Sequence, residues 1–99
     1  MSFIAVTPAG GTLIHAFPVV EDRAPDEMGG FLIGRSACNL RKSIGFERVG
    51  GTDQPFESEP GRLHCLRCVR AVALEKASTD AEREQIEREF RAGKLGLAS

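Results

Sequence analysis

Three cysteines and a histidine are the residues of this chain best suited to carry chemistry. Cys65 and Cys68 form a CxxC pair at the start of a predicted helix, a spacing that lets two sulfurs bind one metal ion. The N–H groups and dipole of a helix N-terminus favour the thiolate form of a cysteine. Cys38 is the third candidate ligand. The pattern predicts one bound metal ion, with zinc favoured.

A tetrahedral zinc site needs a fourth ligand, and the chain has two histidines, His15 and His64. His64 is adjacent to Cys65, and neighbouring residues of an extended strand point to opposite faces. His15 is therefore the preferred ligand. A site made of three cysteines and one histidine has no open position for a substrate, so we expect it to be structural.

Other uses of the cysteines remain open: buried free thiols, redox chemistry, or an iron–sulfur cluster. A disulfide framework fits less well, because the number of cysteines is odd and a reducing compartment keeps thiols free. No signal peptide or membrane-spanning stretch is evident, which predicts a cytoplasmic protein that does not enter a membrane.

The elements that must position these residues begin with a predicted β-hairpin. Two apolar runs, residues 3–6 and 13–17, are joined by a turn at residues 8–11, and His15 lies on the second strand. Residues 31–33 form a candidate third strand that leads towards Cys38. Residues 39–60 contain several glycines and prolines, which predicts an irregular middle held in place by the metal.

The final third of the chain is predicted to be helical. Apolar residues recur at helical spacing from Leu66 to Ala77, and Thr79 with Glu82 forms a capping box that predicts a second helix near Asp80. The two helices could also run as one. The predicted fold is α+β: a small zinc-stabilised domain over residues 1–78, followed by a charged helix and tail over residues 79–99.

The C-terminal helix has a narrow apolar stripe formed by Ile86 and Phe90, and the tail adds Leu95 and Leu97. Such a stripe packs against its own domain or binds a helix of another molecule. We expect these four residues to bind a protein partner or to mediate self-association.

Nucleic-acid binding is the alternative, because basic residues outnumber acidic ones between residues 35 and 70. Arg67 and Arg70, on the helix after the CxxC pair, would then contact the nucleic acid. The formal net charge of −1 argues against a dedicated nucleic-acid-binding protein. The uneven charge has another explanation: the basic residues of the middle lie on a solvated surface and pair with the acidic residues of the first third of the chain.

The order His15, Cys38, Cys65-Leu66-Arg67-Cys68, followed by Val69-Arg70-Ala71, resembles a loose group of short bacterial zinc-finger-like proteins with zinc-ribbon or treble-clef character. The resemblance implies zinc binding and no activity. Asn39 follows Cys38 where that group commonly has glycine. The CxxC pair with Val69 and Leu74 is also similar to part of the WhiB-like iron–sulfur regulators, but a fourth cysteine and a tryptophan are missing.

The sequence contains no convincing enzyme site. Gly10-Gly11-Thr12 and Gly50-Gly51-Thr52-Asp53 do not continue into the lysine-bearing phosphate loop, and they are better explained as turns. The sequence thus predicts a small structural-zinc protein that acts as an interaction or regulatory module. A nucleic-acid-binding zinc finger and an iron–sulfur redox sensor are the alternatives.

Overall fold

The computed structural model describes residues 2–57 and 63–93. These residues form an antiparallel sheet of five strands followed by two helices, so the α+β prediction is confirmed. The order of strands across the sheet is β2-β1-β5-β4-β3. The elements are β1 (Ser2–Pro8), β2 (His15–Val19), β3 (Asp26–Met28), β4 (Phe31–Ser36), β5 (Asn39–Arg48), α1 (Leu66–Lys76) and α2 (Asp80–Arg91).

The predicted N-terminal hairpin is present as strands β1 and β2. Their register pairs Val6 with His15 and Ile4 with Phe17. Successive residues of a strand face opposite sides of the sheet, so His15 shares a face with Phe17, as the alternation in the sequence indicated. Phe17 is buried, whereas Leu13, two residues before His15, is 40% exposed.

The middle of the chain differs from the prediction of an irregular segment. Residues 39–48 form β5, the longest strand, which lies between β1 and β4. The polar residues Arg41, Lys42 and Ser43 hide the strand pattern, but Ile44 and Phe46 alternate towards a buried cluster. Pairing with β1, which is distant in sequence, stabilises this strand, and a local reading of the sequence does not show that contact.

Strand β3 lies inside the polar segment between Glu21 and Gly30, where Pro25 and the two glycines would favour a loop. It pairs with β4, and Gly29 and Gly30 form the two-residue turn between them. Both glycines have positive φ angles, 61° and 86°. A two-residue hairpin turn requires this conformation, and glycine adopts it without steric cost.

The sheet curls so that β4 returns to β2. The Ala37 N–H donates to the Ala16 carbonyl at 2.8 Å, which links the end of β4 to the outer edge of β2. Gly34 permits this approach: a Cβ atom there would lie 2.7 Å from Cζ of Phe17. The curl encloses an inner cluster of buried side chains from Ile4, Val6, Phe17, Leu32 and Phe46.

A second, outer cluster fills the space between the other face of the sheet and α1. It contains two of the candidate metal ligands, and its members are Ala5, Ile14, Ala16, Phe56, Cys65, Cys68, Val69 and Val72. Leu66, which was expected on the apolar face of α1, is 47% exposed. The helix therefore packs through Cys68, Val69 and Val72.

Two separate helices are present, as the capping box predicted, and not one continuous helix. The chain is extended at Ala77, and Thr79 is the N-cap of α2, where its side chain accepts a hydrogen bond from the Glu82 N–H at 3.2 Å. The Glu82 carboxylate accepts from the Ser78 N–H at 2.9 Å. These bonds satisfy backbone donors that a helix start leaves unpaired.

Helix α2 is attached to α1 by an ion pair and by apolar contacts. Arg70 donates to both carboxylate oxygens of Glu87, and its guanidinium lies 5.2 Å from the ring centre of Phe90. Ile86 and Phe90 are partly buried and pack against the outer cluster. Leu95 and Leu97 lie outside the described residues.

Candidate metal centre

His15 is the point at which the candidate ligands meet. It is the first residue of β2, and its Nδ1 atom lies 3.4 Å from Sγ of Cys38 and 3.5 Å from Sγ of Cys68. Cys38 lies in the turn between β4 and β5, which the curl of the sheet brings beside β2. Two ligands thus come from the sheet and its turns.

The CxxC pair is brought to the same place by backbone hydrogen bonds ahead of α1. The Ile14 N–H donates to the Leu63 carbonyl at 2.9 Å, and the Cys65 N–H donates to the Ile14 carbonyl at 2.8 Å. Because Ile14 precedes His15, this pairing holds Cys65 beside β2. Cys65 is the N-cap of α1, and Cys68 follows in the first turn.

The geometry of these four side chains can be compared with that of a zinc site. Their candidate ligand atoms all lie within 4.8 Å of one another. A tetrahedral zinc ion, at about 2.3 Å from sulfur and about 2.0 Å from nitrogen, sets nitrogen and sulfur roughly 3.5 Å apart and two sulfurs roughly 3.8 Å apart. The two distances from His15 fit, and two sulfurs at the 4.8 Å limit would have to approach by about 1 Å to bind one zinc ion.

Burial favours the neutral forms of two of the site residues, His15 and Cys68, when no cation is bound. Cys65 is 8% exposed and Cys68 is fully buried, whereas His15 and Cys38 are partly exposed. Burial lowers the pKa of His15, which keeps its imidazole neutral and able to bind metal. Burial also raises the pKa of Cys68, helped by the neighbouring Cys65 and Cys38.

The raised pKa of Cys68 differs from the expectation that a helix N-terminus favours the thiolate. The effect of burial on the pKa of Cys68 outweighs that of the helix N-terminus. A hydrogen bond from the Ala16 backbone lowers this pKa and so opposes the effect of burial only in part. A bound divalent cation would reverse this balance, because it supplies the positive charge that a thiolate needs. None of the three cysteines, all within the described part of the chain, forms a disulfide.

Two groups around the ligands were not anticipated from the sequence. The hydroxyl of Ser36 lies 3.3 Å from Sγ of Cys38, and the Ala16 backbone acts to lower the pKa of Cys68 against the effect of burial. Outer partners of this kind orient metal ligands. The contact of Ser36 with Cys38 could have been predicted, because the two residues are only two positions apart in the sequence. Nothing in the sequence indicates the role of Ala16.

His64, the rival histidine, lies outside this group of ligands. Its ring packs edge-on against Phe56, with the ring centres 5.5 Å apart. Because His64 is paired through its backbone with Ile14, its side chain faces the outer cluster. The structure therefore brings together the four residues selected from the sequence, His15, Cys38, Cys65 and Cys68.

The arginines assigned to the nucleic-acid alternative are in different environments. Arg67 is exposed, whereas Arg70 is paired with Glu87 and lies against Phe90. Within the basic middle of the chain, Arg48 pairs with Glu27 and Asp53. Part of the basic excess thus neutralises acidic residues of the same molecule.

Comparison of the chain with protein-family models, with curated proteins and with solved structures finds no match. The resemblance to zinc-finger-like proteins therefore stays a prediction. Among the helices in the described ranges, none has the length and apolar character needed to cross a membrane. What the arrangement can do chemically is bind one metal ion between the end of the sheet and the start of α1.

Proposed function

We propose that this chain is a small structural-zinc protein that acts as a protein-interaction or regulatory module. The observation that supports this is the meeting of His15, Cys38, Cys65 and Cys68 in one cluster of ligand atoms. These residues come from three separate parts of the chain, so a single ion would connect β2, the β4–β5 turn and α1. A connection of that kind has a structural use in a chain this short.

Zinc is the metal that best suits the donor set. Sulfur and imidazole ligands in tetrahedral array suit zinc, and four protein ligands leave no open position for a reacting water or substrate. We therefore propose a structural and not a catalytic ion. An iron–sulfur cluster is the alternative, and its colour would distinguish it.

The experiment that tests the metal centre is elemental analysis of the untagged protein, purified without added metal, together with its visible absorption spectrum. We expect about one zinc ion per chain and no colour. Iron together with a brown chromophore would indicate an iron–sulfur cluster in place of the zinc ion. A protein free of metal that also fails to bind added zinc would contradict the proposal.

Cys68→Ser provides the sharpest variant, with His64→Gln as its matched control. Cys68 is a fully buried candidate ligand, so its loss should reduce the zinc content to a small fraction of the wild-type value. His64 lies outside the cluster, so its variant should retain about one zinc. Equal zinc loss in both variants would indicate unfolding and not the removal of a ligand.

We further propose that a protein partner, or a second copy of the chain, binds along α2. A shallow apolar groove between α1 and α2 supports this, with Ala73, Ala77, Ala81 and Ile86 in its lining. Ile86 and Phe90 also pack against the outer cluster, so substitutions there would test stability and binding together. The sequence-based prediction also includes Leu95 and Leu97, which lie outside the described residues.

Ala81→Arg is the better test of this surface, because Ala81 is exposed and its substitution should leave the fold intact. Sedimentation velocity at several concentrations would compare the wild type and the variant. A concentration-dependent dimer that the variant loses would support self-association through the groove. A dimer that persists in the variant would place the interface elsewhere.

A further inference from the structure

We propose that the metal centre is redox-sensitive: a hydroperoxide oxidises Cys38 and Cys68 to a disulfide, and the zinc ion is released. This inference rests on the zinc site proposed above. It assigns different roles to the three cysteines, and the structure distinguishes them by exposure and by contact.

Exposure determines which sulfur meets an oxidant first. Cys68 is fully buried and Cys65 is 8% exposed, both within the outer cluster. Cys38 lies in the turn between β4 and β5 and is partly exposed. Oxidation of a thiolate follows its accessibility as well as its charge. A hydroperoxide arriving from solvent therefore reacts with Cys38.

Contact determines which sulfur completes the disulfide. The Sγ atoms of Cys38 and Cys68 both contact the Nδ1 atom of His15, at 3.4 Å and 3.5 Å. The contacts found for Cys65 in the described part of the chain do not include this nitrogen, so the geometry at His15 groups Cys38 with Cys68. Cys68 is therefore the resolving thiolate, although Cys65 is its nearer neighbour in the sequence.

The reaction balances with one hydrogen peroxide as the two-electron oxidant. The Cys38 thiolate attacks one peroxide oxygen, the O–O bond breaks, and a sulfenic acid and a hydroxide form. The Cys68 thiolate then attacks the Cys38 sulfur, so the S–S bond forms, the S–O bond breaks and a second hydroxide leaves. The two sulfurs lose two electrons, and the peroxide becomes two hydroxides that are protonated to water.

Zinc is not oxidised or reduced in this reaction, but it loses two of its four ligands. His15 and Cys65 alone do not make a closed tetrahedral site, so the ion leaves. The disulfide still links the β4–β5 turn to α1, while β2 and the N-cap of α1 lose their connection through the metal. The module would thus have a reduced, zinc-bound form and an oxidised, cross-linked form.

The test treats the reduced, zinc-loaded protein with stoichiometric hydrogen peroxide and follows zinc with a chromogenic chelator. Trypsin then identifies the disulfide, because Arg67 separates Cys65 from Cys68. Cys38 falls in the peptide of residues 36–41, Cys65 in residues 63–67 and Cys68 in residues 68–70. We expect about one zinc released per peroxide consumed and a disulfide between peptides 36–41 and 68–70.

Variants separate the roles of the cysteines. Cys38→His keeps a metal ligand but removes the accessible thiolate, so zinc release by peroxide should slow at least about tenfold. His64→Gln serves as the matched control: His64 lies outside the cluster of ligands, so zinc release by peroxide should proceed at the wild-type rate. Thiol reductant with added zinc should restore the metal-bound form of the wild type.

The outcomes distinguish this inference from the proposed function. A protein that contains no zinc before oxidation would overturn both. If zinc is present but is retained after peroxide treatment, the proposed structural site would be supported and the proposed oxidation would be overturned. A disulfide between peptides 63–67 and 68–70, or wild-type release rates in Cys38→His, would overturn the roles assigned to Cys38 and Cys68.

Discussion

The protonation state of Cys68 depends on whether a cation is bound beside it. Its thiol is fully buried, and burial with two neighbouring cysteines raises its pKa, so it holds its proton across neutral pH when no metal is bound. A zinc ion at the proposed site would bind the thiolate and would have to displace that proton. The proton and the metal therefore compete for this sulfur throughout the neutral range.

The prediction at the scale of the residue is a zinc affinity that rises with pH. At least one thiol releases a proton on binding, so affinity should fall by about tenfold or more for each pH unit between 8 and 7. Protons do not compete with zinc for His15 in that range, because burial lowers the pKa of this imidazole below the ordinary 6.5. Competition titrations against a chelator, corrected for its own protonation, provide the measurement. An affinity independent of pH would contradict it.

Among the elements, the approach of β4 to β2 decides whether the ligands meet. Cys38 follows β4 and His15 begins β2, so the curl that joins these strands also sets the distance between the two side chains. The curl depends on the packing of the Phe17 ring against Gly34, where the backbone has no side chain. The candidate metal centre thus depends on Gly34, which contributes no ligand atom.

Gly34→Ala should therefore destabilise the protein, by about 1–3 kcal/mol, as overpacking of a core commonly does. The added Cβ would lie 2.7 Å from Cζ of Phe17, and the strands must separate to admit it. Gly45→Ala is the matched control, because its Cβ would meet the nearest atom at an ordinary 3.6 Å. Chemical denaturation of both zinc-loaded variants gives the comparison. Equal losses would show that the curl tolerates the methyl group.

At the scale of the whole molecule, the candidate metal centre lies where the sheet meets the helices. Cys65 and Cys68 belong to the outer cluster, which attaches α1 to the sheet, and α2 is attached through α1 by Arg70 and Glu87. In small zinc domains, metal binding contributes on the order of 10–16 kcal/mol. That is comparable with the whole stability of an ordinary domain, about 5–15 kcal/mol.

Removal of the metal should consequently lower the thermal midpoint sharply and reduce the helical signal. Far-UV circular dichroism before and after treatment with a strong chelator is the suitable measurement, since the chain has no Trp or Tyr for fluorescence. Re-addition of zinc should restore the signal, which controls for damage by the chelator. An unchanged midpoint after complete metal removal would show that the two clusters hold the fold without the ion.

The sequence by itself determined the residue types and the local elements. A CxxC at a helix start, a histidine on an alternating strand and a capping box at Thr79 depend on contacts a few residues apart, and these features are present in the structure. The choice of His15 over His64 also followed from local geometry, because adjacent strand residues face opposite ways.

The tertiary structure decided what depends on residues far apart in the chain. Strand β5 was hidden because its pairing with β1 joins residues about 40 positions apart. The pKa of Cys68 rose because tertiary packing buries the first turn of α1, which a helix considered alone does not reveal. The apolar stripe of Ile86 and Phe90 was visible in the sequence, but only packing shows that both contact the outer cluster. Local patterns identify candidate ligands, whereas long-range packing sets their distances, burial and charge.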